Sequence, residues 1–288
     1  MKVVLFCGGF GTRLRDYSEA VPKPLVNVGY RPILWHLMRY YAHYGHKDFI
    51  LCLGYRGDLI REFFLKYDEC MSNDFTLSEG GRRIELHSRS IDDWRITFVD
   101  TGLHSSIGQR LLRVRSYLGD EPVFLANYSD GLSDLPLPDL IADFEQKNAI
   151  ASFAAVRPWQ TFHTVHASDD GLVTGIGAAG NGDILINGGF FMLRQQVFDY
   201  IKDGEELVEQ PFARLIEQRR LAVFRYKGFW QSMETAKDKI AFDRMEAQGN
   251  CPWAVWNPPS QGVVPNDRAP ADAGKQESIA RLVHRRAL

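Results

Sequence analysis

The chain has little with which to bridge itself. Its 288 residues include four cysteines, Cys7, Cys52, Cys70 and Cys251, and none stands at CxxC spacing to another. That excludes a cysteine-rich zinc site and a disulfide framework, and the expectation is reduced thiols in the cytoplasm. No apolar run approaches the roughly 18 residues that a membrane-spanning helix needs. The chain opens on a strand instead of a charged segment, apolar stretch and cleavage site, so neither secretion nor a membrane partner is expected. An excess of one charge is missing as well, the formal net charge being −2. Such a balance builds no basic field for nucleic acid, so any phosphate must be gripped by a few placed side chains and backbone amides. No internal repeat is present.

What the sequence does contain is ordinary core material. Hydrophobic residues make up 45% of it and charged ones 24%, the proportions of a globular protein with a sizeable interior. That material lies in residues 1–256. From Asn257 onward NPPSQGVVPNDRAPADAGKQ is rich in proline, glycine and short polar residues, and 257–288 reads as a disordered or weakly helical tail.

KVVLF at 2–6 predicts a buried central strand that ends on a glycine-rich loop. Apolar positions at helical spacing predict a helix over 32–45, with Pro32 in its first turn and Gly45 past its end. A strand over 49–55, a helix over 57–67, a strand over 96–102, a helix over 107–118 and a strand over 122–131 follow. The polar residues 73–95 read as a hairpin insertion. This alternation argues for a parallel sheet covered on both faces. Further strands, some antiparallel, are expected at 151–156, 171–177, 188–194 and 221–230, with helices at 195–202, 211–219 and 235–249. Ligands of open α/β sheets bind beyond the carboxyl ends of the strands, where the unusual residues of this chain fall. Trp35, Tyr40 and Tyr41 are assigned to the core.

The first strand runs into CGGFGTRL. Glycines let backbone N–H groups approach an anion closely, and an arginine after them adds a planar, permanently charged donor. The P-loop string GxxxxGK[ST] is absent, and Leu14 stands where the dinucleotide fingerprint needs its last glycine. VPKPLV at 21–26 strengthens the phosphate reading, because prolines on both sides of Lys23 stiffen the backbone that carries its ammonium.

GGFGTRL, PKPLVNVG and RPILWHLM, followed in order by DFILCLGYRGDLIREFF, DDWRITFVDTG, YSDGLSDL, INGGFFML, GFWQSMET and CPWAVW, resemble the nucleoside-diphosphate-sugar pyrophosphorylases, and more narrowly the glucose-1-phosphate cytidylyltransferases. The likeness spans residues 1–256. It implies an α/β fold with a doubly wound, mostly parallel Rossmann-like sheet and a small antiparallel β subregion. It implies an enzyme that uses Mg2+ to join a nucleoside triphosphate, CTP in the narrower family, to a sugar 1-phosphate or related phosphorylated acceptor, releasing pyrophosphate. It also implies a homo-oligomer, with the tryptophan-containing segment 251–256 contributing to a contact.

Carried over residue by residue, the resemblance assigns Gly8, Gly9, Gly11, Thr12 and Arg13 to the triphosphate cradle, with Phe6 at the end of the strand before it. Lys23 contacts phosphate oxygens, and Ile107 and Arg110 belong to the nucleotide pocket. Asp130 binds Mg2+ and lies near the nucleotide sugar, while Glu234 stands at the second metal position. Asn187, Gly188 and Gly189 match the sugar-side loop. Arg13, Lys23 and Asp130 take the catalytic roles.

The chain departs from the family pattern in four places. Ser129 replaces a usual glycine, Glu234 a usual aspartate and Ile107 a threonine that contacts the nucleotide. Residues 175–183, GIGAAGNGD, contain no counterpart of the Glu-Lys-Pro motif whose lysine contacts the sugar phosphate. An altered acceptor is one consequence; a non-catalytic binding protein of the same fold is another. A metal-dependent glycosyltransferase of related fold, with SDGLSD as its metal motif, is a third reading. Asp134 reads as structural or as a helix cap. His163 and His166, too closely spaced for the usual zinc pair, read as pocket-wall or surface residues.

Overall fold

Val3–Phe6 forms β1, and all four side chains are buried. Alternate residues of a strand point to opposite faces: Val3 and Leu5 enter one hydrophobic cluster, Val4 and Phe6 the other. A strand apolar on both sides belongs in the middle of a covered sheet. Asp48–Leu53 (β4) pairs with β1 in parallel on one side and Val123–Tyr128 (β8) on the other, and Arg95–Asp100 (β7) continues beyond β4. Beyond β8 the order reverses direction: Phe191–Arg194 (β14) runs antiparallel to β8, and Ala151–Val156 (β10) antiparallel to β14. Leu221–Tyr226 (β15) pairs in parallel with β10. The structure, a computed structural model, describes residues 1–11, 14, 21–158, 163–178 and 184–257.

Ile186–Asn187 (β13) lies against Ala155 and Val156 of β10, on the edge that β14 occupies further along. The two short strands are separated by Gly188, Gly189 and Phe190. Gly189 takes φ of 76° and Phe190 φ of 50°, a left-handed pair that breaks the chain between the two strands. A side chain at position 189 would also strike Asn127 Oδ1, so only glycine fits.

Two helical layers cover the sheet. Ile33–His43 (α1) and Leu137–Lys147 (α4) bury Ile33, Leu34, Leu37, Leu140 and Phe144 against one face, together with Phe242 of Ala236–Ala247 (α6). Gly57–Leu65 (α2) adds Ile60 to this layer. Ile107–Leu118 (α3) and Gln210–Glu217 (α5) cover the other face through Leu111, Val114, Phe212 and Leu215. The architecture is doubly wound and mostly parallel, as the resemblance implies.

Among the described residues four two-stranded ribbons lie off the main sheet: Asn27–Val28 with Arg31–Pro32 (β2, β3), Phe75–Ser78 with Arg83–Leu86 (β5, β6), His163–Ala167 with Val173–Ala178 (β11, β12) and Gly131–Ser133 with Trp230–Ser232 (β9, β16). The hairpin expected in 73–95 is β5–β6. The strand expected at 171–177 sits in the β11–β12 ribbon, outside the main sheet, and β11 carries His163 and His166. The helix expected at 195–202 is a 3-10 turn over Gln195–Tyr200. Helix α4 has no counterpart in the sequence reading. Its Pro138 falls in the first turn, where a missing N–H costs nothing.

Within 251–256, where a subunit contact is expected, Trp253 is buried and packs on Phe229 and Phe242, while the other residues are half-exposed. Trp35, Tyr40 and Tyr41 are core residues. The four cysteines are free thiols. The predicted tail lies, from residue 258 onward, outside the described residues.

Candidate active site

The chain passes from β1 outward to β4 and β7, then returns to the other side of β1 as β8. This switch point opens a crevice at the carboxyl ends of the strands, and a cavity of about 730 Å³ occupies it. Phe6, Gly8, Gly9, Gly11, Lys23, Ile107, Arg110, Asp130, Asn187 and Glu234 all line it. Gly188 and Gly189 do not. The Gly188 carbonyl instead accepts from Trp230 Nε1 at 2.8 Å, and the Gly189 amide donates to Asn187 Oδ1 at 2.9 Å, so the pair shapes the wall that presents Asn187. Thr12, Arg13 and 179–183 lie outside the described residues.

The glycine loop is held from beneath. Arg110, on the first turns of α3, is 3% exposed. Its guanidinium donates to the carbonyl of Gly8 at 3.1 Å, the carbonyl of Leu53 at 3.2 Å and Thr101 Oγ1 at 2.6 Å. Burial lowers its pKa from the ordinary arginine value, yet an arginine stays charged. A methyl group on Gly8 would fall on this guanidinium. Glycine at position 8 is therefore a packing requirement.

Lys23 begins a 3-10 turn, Lys23–Leu25, with Pro22 before it and buried Pro24 inside it. The Val26 amide donates back to the Lys23 carbonyl at 3.1 Å, which fixes the direction of the lysine. Its ammonium lies 2.6 Å from Asp130 Oδ2 and 3.0 Å from Glu234 Oε2. Burial would pull its pKa down, but the two carboxylates outweigh burial, and it ends above the ordinary lysine value.

Asp130 follows β8, and Glu234 follows β16. The Met233 amide donates to the Asp130 carbonyl at 2.8 Å, and Ser232 pairs with Gly131. These backbone bonds join the two acidic positions. Ser129, in place of the family glycine, donates its Oγ to the Phe6 carbonyl at 2.8 Å and ties β8 to β1. Beside Glu234, Thr235 and Asp238 form the capping box of α6. Asp134 accepts a hydrogen bond from Tyr226 Oη, a structural role; the residue at the N-terminus of α4 is Pro136, so Asp134 caps no helix.

Phe10, Ser105, Tyr128, Glu206, Trp230 and Ser232 also line the cavity and were not singled out by sequence. Phe10 packs at 5.6 Å from the Tyr55 ring and 5.4 Å from the His104 ring, forming a lip. Tyr128 Oη accepts from Asn187 Nδ2 at 3.2 Å. Trp230 stood inside the quoted GFWQSMET, which was the available signal for it.

An open α/β sheet whose switch point gathers a glycine loop, an ammonium and two carboxylates defines a class, the α/β enzymes that handle a phosphorylated ligand. The sequence profile described as Nucleotidyl transferase matches residues 2–231, and the chain belongs to that family. It is 39% identical to the probable glucose-1-phosphate cytidylyltransferase of Bacillus subtilis (strain 168) and 38% identical to the glucose-1-phosphate cytidylyltransferase of Salmonella typhi. Each match runs over 258 residues, 89% of this chain and 100% of the relative. The fold of apo UDP-glucose pyrophosphorylase is similar, with a TM-score of 0.64 over 87% of this chain and 100% of that one at 14% identity. No helix among the described residues is long and apolar enough to cross a membrane.

Proposed function

We propose that the protein transfers a cytidylyl group from CTP to a sugar 1-phosphate, glucose 1-phosphate or a related phosphorylated acceptor, giving a nucleotide-activated sugar and pyrophosphate. The observation that carries this reading is the convergence of Asp130 and Glu234 on the Lys23 ammonium beside the glycine loop. Likeness to glucose-1-phosphate cytidylyltransferases over their whole length supports the choice of nucleotide and acceptor.

In this reading the triphosphate lies along Gly8, Gly9 and Gly11, with Thr12 and Arg13 completing the cradle. Arg110 keeps the loop in place through the Gly8 carbonyl, and Phe6 and Ile107 border the nucleoside. Asn187, set by Gly188 and Gly189, faces the acceptor sugar. An oxygen of the acceptor phosphate attacks the α-phosphorus. The bond from that phosphorus to the bridging oxygen breaks, and its electron pair leaves with pyrophosphate. Such a transfer needs alignment and charge neutralisation more than a protein nucleophile. Arg13 and Lys23 supply fixed positive charge to the phosphate oxygens.

The donor set fits Mg2+. Asp130 and Glu234 both reach one cationic atom, the Lys23 ammonium. Among the described residues no group of three or more His, Cys, Asp or Glu side chains could cage a metal alone. An ion that binds through one or two carboxylates and completes its shell with phosphates and water suits that arrangement. When bound, Mg2+ supplies charge neutralisation on the triphosphate oxygens.

A homo-oligomer is part of the same proposal. The β5–β6 register sets Phe75, Leu77, Ile84 and Leu86 on one face, and the exposure of Phe75, Leu77 and Ile84 supports a covered surface there.

The test is incubation of the full chain with each nucleoside triphosphate, Mg2+ and a panel of sugar phosphates, following pyrophosphate. Release with CTP and a sugar 1-phosphate is expected. No release with any pair would overturn the proposal.

A further inference from the structure

The cavity contains a carboxylate that phosphate chemistry does not use. Glu206 lines it alongside Gly8, Ile107 and Arg110. The Ile107 amide, at the start of α3, donates to Glu206 Oε2 at 3.2 Å, and the Leu207 amide donates to Oε1 at 3.1 Å. An ionised carboxylate offers about four lone-pair positions, so two backbone donors hold the group in orientation and leave acceptor capacity for a ligand. Negative charge is favoured at this helix N-terminus. Tyr128 feels that charge: burial first, then Glu206, pushes its phenol up to about 12.

Placement decides what the ligand group is. The Lys23–Leu25 turn packs on α1, in one hydrophobic layer, whereas Glu206 bonds to the start of α3, in the other, and Leu207 beside it joins that same layer. The ammonium and the Glu206 carboxylate therefore reach the cavity from opposite faces of the sheet. Phosphates lie toward the ammonium, since a carboxylate repels them. The part of the ligand at Glu206 is neutral and donates hydrogen bonds. On the side of Glu206 the wall includes the apolar Phe6 and Ile107, which belong to one hydrophobic layer. Such a wall suits the face of an aromatic base better than a polyhydroxylated sugar.

Building on the reading of the chain as a cytidylyltransferase, we propose that Glu206 accepts a hydrogen bond from the exocyclic amine of the base and selects an amino-bearing pyrimidine over uracil. A uracil carbonyl at that place would set two acceptors against each other. Sites built around a specific hydrogen bond discriminate strongly against ligands that cannot make it.

The experiment compares kcat/KM of the full-length chain for CTP, UTP and dCTP, each with Mg2+ and the sugar phosphate that supports turnover. Glu206→Gln keeps the size and one acceptor but offers an amide donor to uracil, and the CTP-to-UTP preference is expected to fall about 10-fold or more. Glu206→Asp keeps the charge but draws it back by one methylene, and reads the same ratio should the Gln variant fail to fold through loss of its bond to Ile107. The CTP-to-dCTP ratio and the KM for the sugar phosphate are expected to stay unchanged. An unchanged CTP-to-UTP ratio in folded variants overturns the assignment, as does a shift confined to dCTP or to the sugar phosphate. In either case wild-type turnover with CTP leaves the proposed function standing. Absence of CTP turnover in the wild type overturns both.

Discussion

Lys23 Nζ lies 2.6 Å from Asp130 Oδ2, and the same ammonium reaches Glu234 at 3.0 Å. The lysine thus stands as the counter-ion of two acidic side chains that would otherwise repel each other. Replacing it by Met leaves the carboxylates facing one another in a partly buried site. Lys23→Met is expected to lose about 1–3 kcal/mol of stability, below the cost of breaking a fully buried pair because Glu234 is partly exposed. Added Mg2+ should raise its melting temperature more than that of the wild type. Turnover should fall about 100-fold or more. The pH sign follows from the raised pKa of Lys23: its stabilisation is fully present below about pH 10.4, the unfolded lysine value, and disappears as pH rises through the higher folded value. Melting temperatures of wild type and variant should converge as pH rises through that alkaline range. Equal melting temperatures at pH 8 would count against the counter-ion role.

Gly8 and Arg110 are expected to behave as one unit. A methyl group at position 8 displaces the guanidinium, which takes a buried charge away from its three acceptors, the Gly8 and Leu53 carbonyls and Thr101 Oγ1. Gly8→Ala should cost about 2–4 kcal/mol and raise the KM for the nucleoside triphosphate. In an Arg110→Ala background the same methyl group meets open space and should cost less. A double-mutant cycle in urea is expected to show coupling of about 1 kcal/mol or more; strict additivity would refute the link.

Glu234 is one methylene longer than the aspartate usual in the resembling family, and it still reaches the cation at Asp130. Glu234→Gln preserves length and removes the charge. The Mg2+ concentration for half-maximal pyrophosphate release should rise on the order of 10-fold, a shift that even outer-shell changes produce, while saturating Mg2+ restores much of the rate. A variant with an unchanged Mg2+ dependence would remove Glu234 from the metal site.

Residues whose role is set by their immediate neighbours are readable in sequence. β1 is apolar on both faces and stops at glycine, Lys23 is stiffened by two prolines, and Asp130 ends a buried strand. Each pattern is complete within about ten residues. Glu206 is different. It lies in a polar stretch, EELVEQ, and reaches Ile107 across 99 positions of sequence, so only the packing of the helical layer over the sheet brings it to the cavity. Arg110 was placed in the pocket by resemblance, but its grip on Gly8 spans 102 positions and needed the fold. Helix α4 carried a readable stripe, Leu137, Leu140 and Phe144, beneath prolines that the first turn of a helix tolerates.

His36 sets an acid limit on stability. Its ring sits among Trp35, Trp253 and Trp256, with centroids 5.3 to 6.2 Å away. Nε2 lies 3.0 Å from the Val28 carbonyl, and Trp253 Nε1 points at Nδ1 from 3.4 Å. The neutral ring with its proton on Nε2 satisfies both partners, donating to Val28 and accepting from Trp253. A second proton on Nδ1 would face the indole N–H. Burial lowers the pKa from 6.5 to about 4; the Val28 carbonyl opposes that shift and nearby Arg31 adds to it. Between those values the unfolded chain binds the proton that the folded protein refuses. The contribution of His36 is therefore fully present above pH 6.5 and is lost as pH falls toward 4, about 3 kcal/mol in all. His36→Gln should be less stable than wild type at pH 7 and should lose stability less steeply between pH 6.5 and 4.5, measured by urea unfolding with tryptophan fluorescence. Parallel slopes for the two proteins would show that another group carries the acid sensitivity.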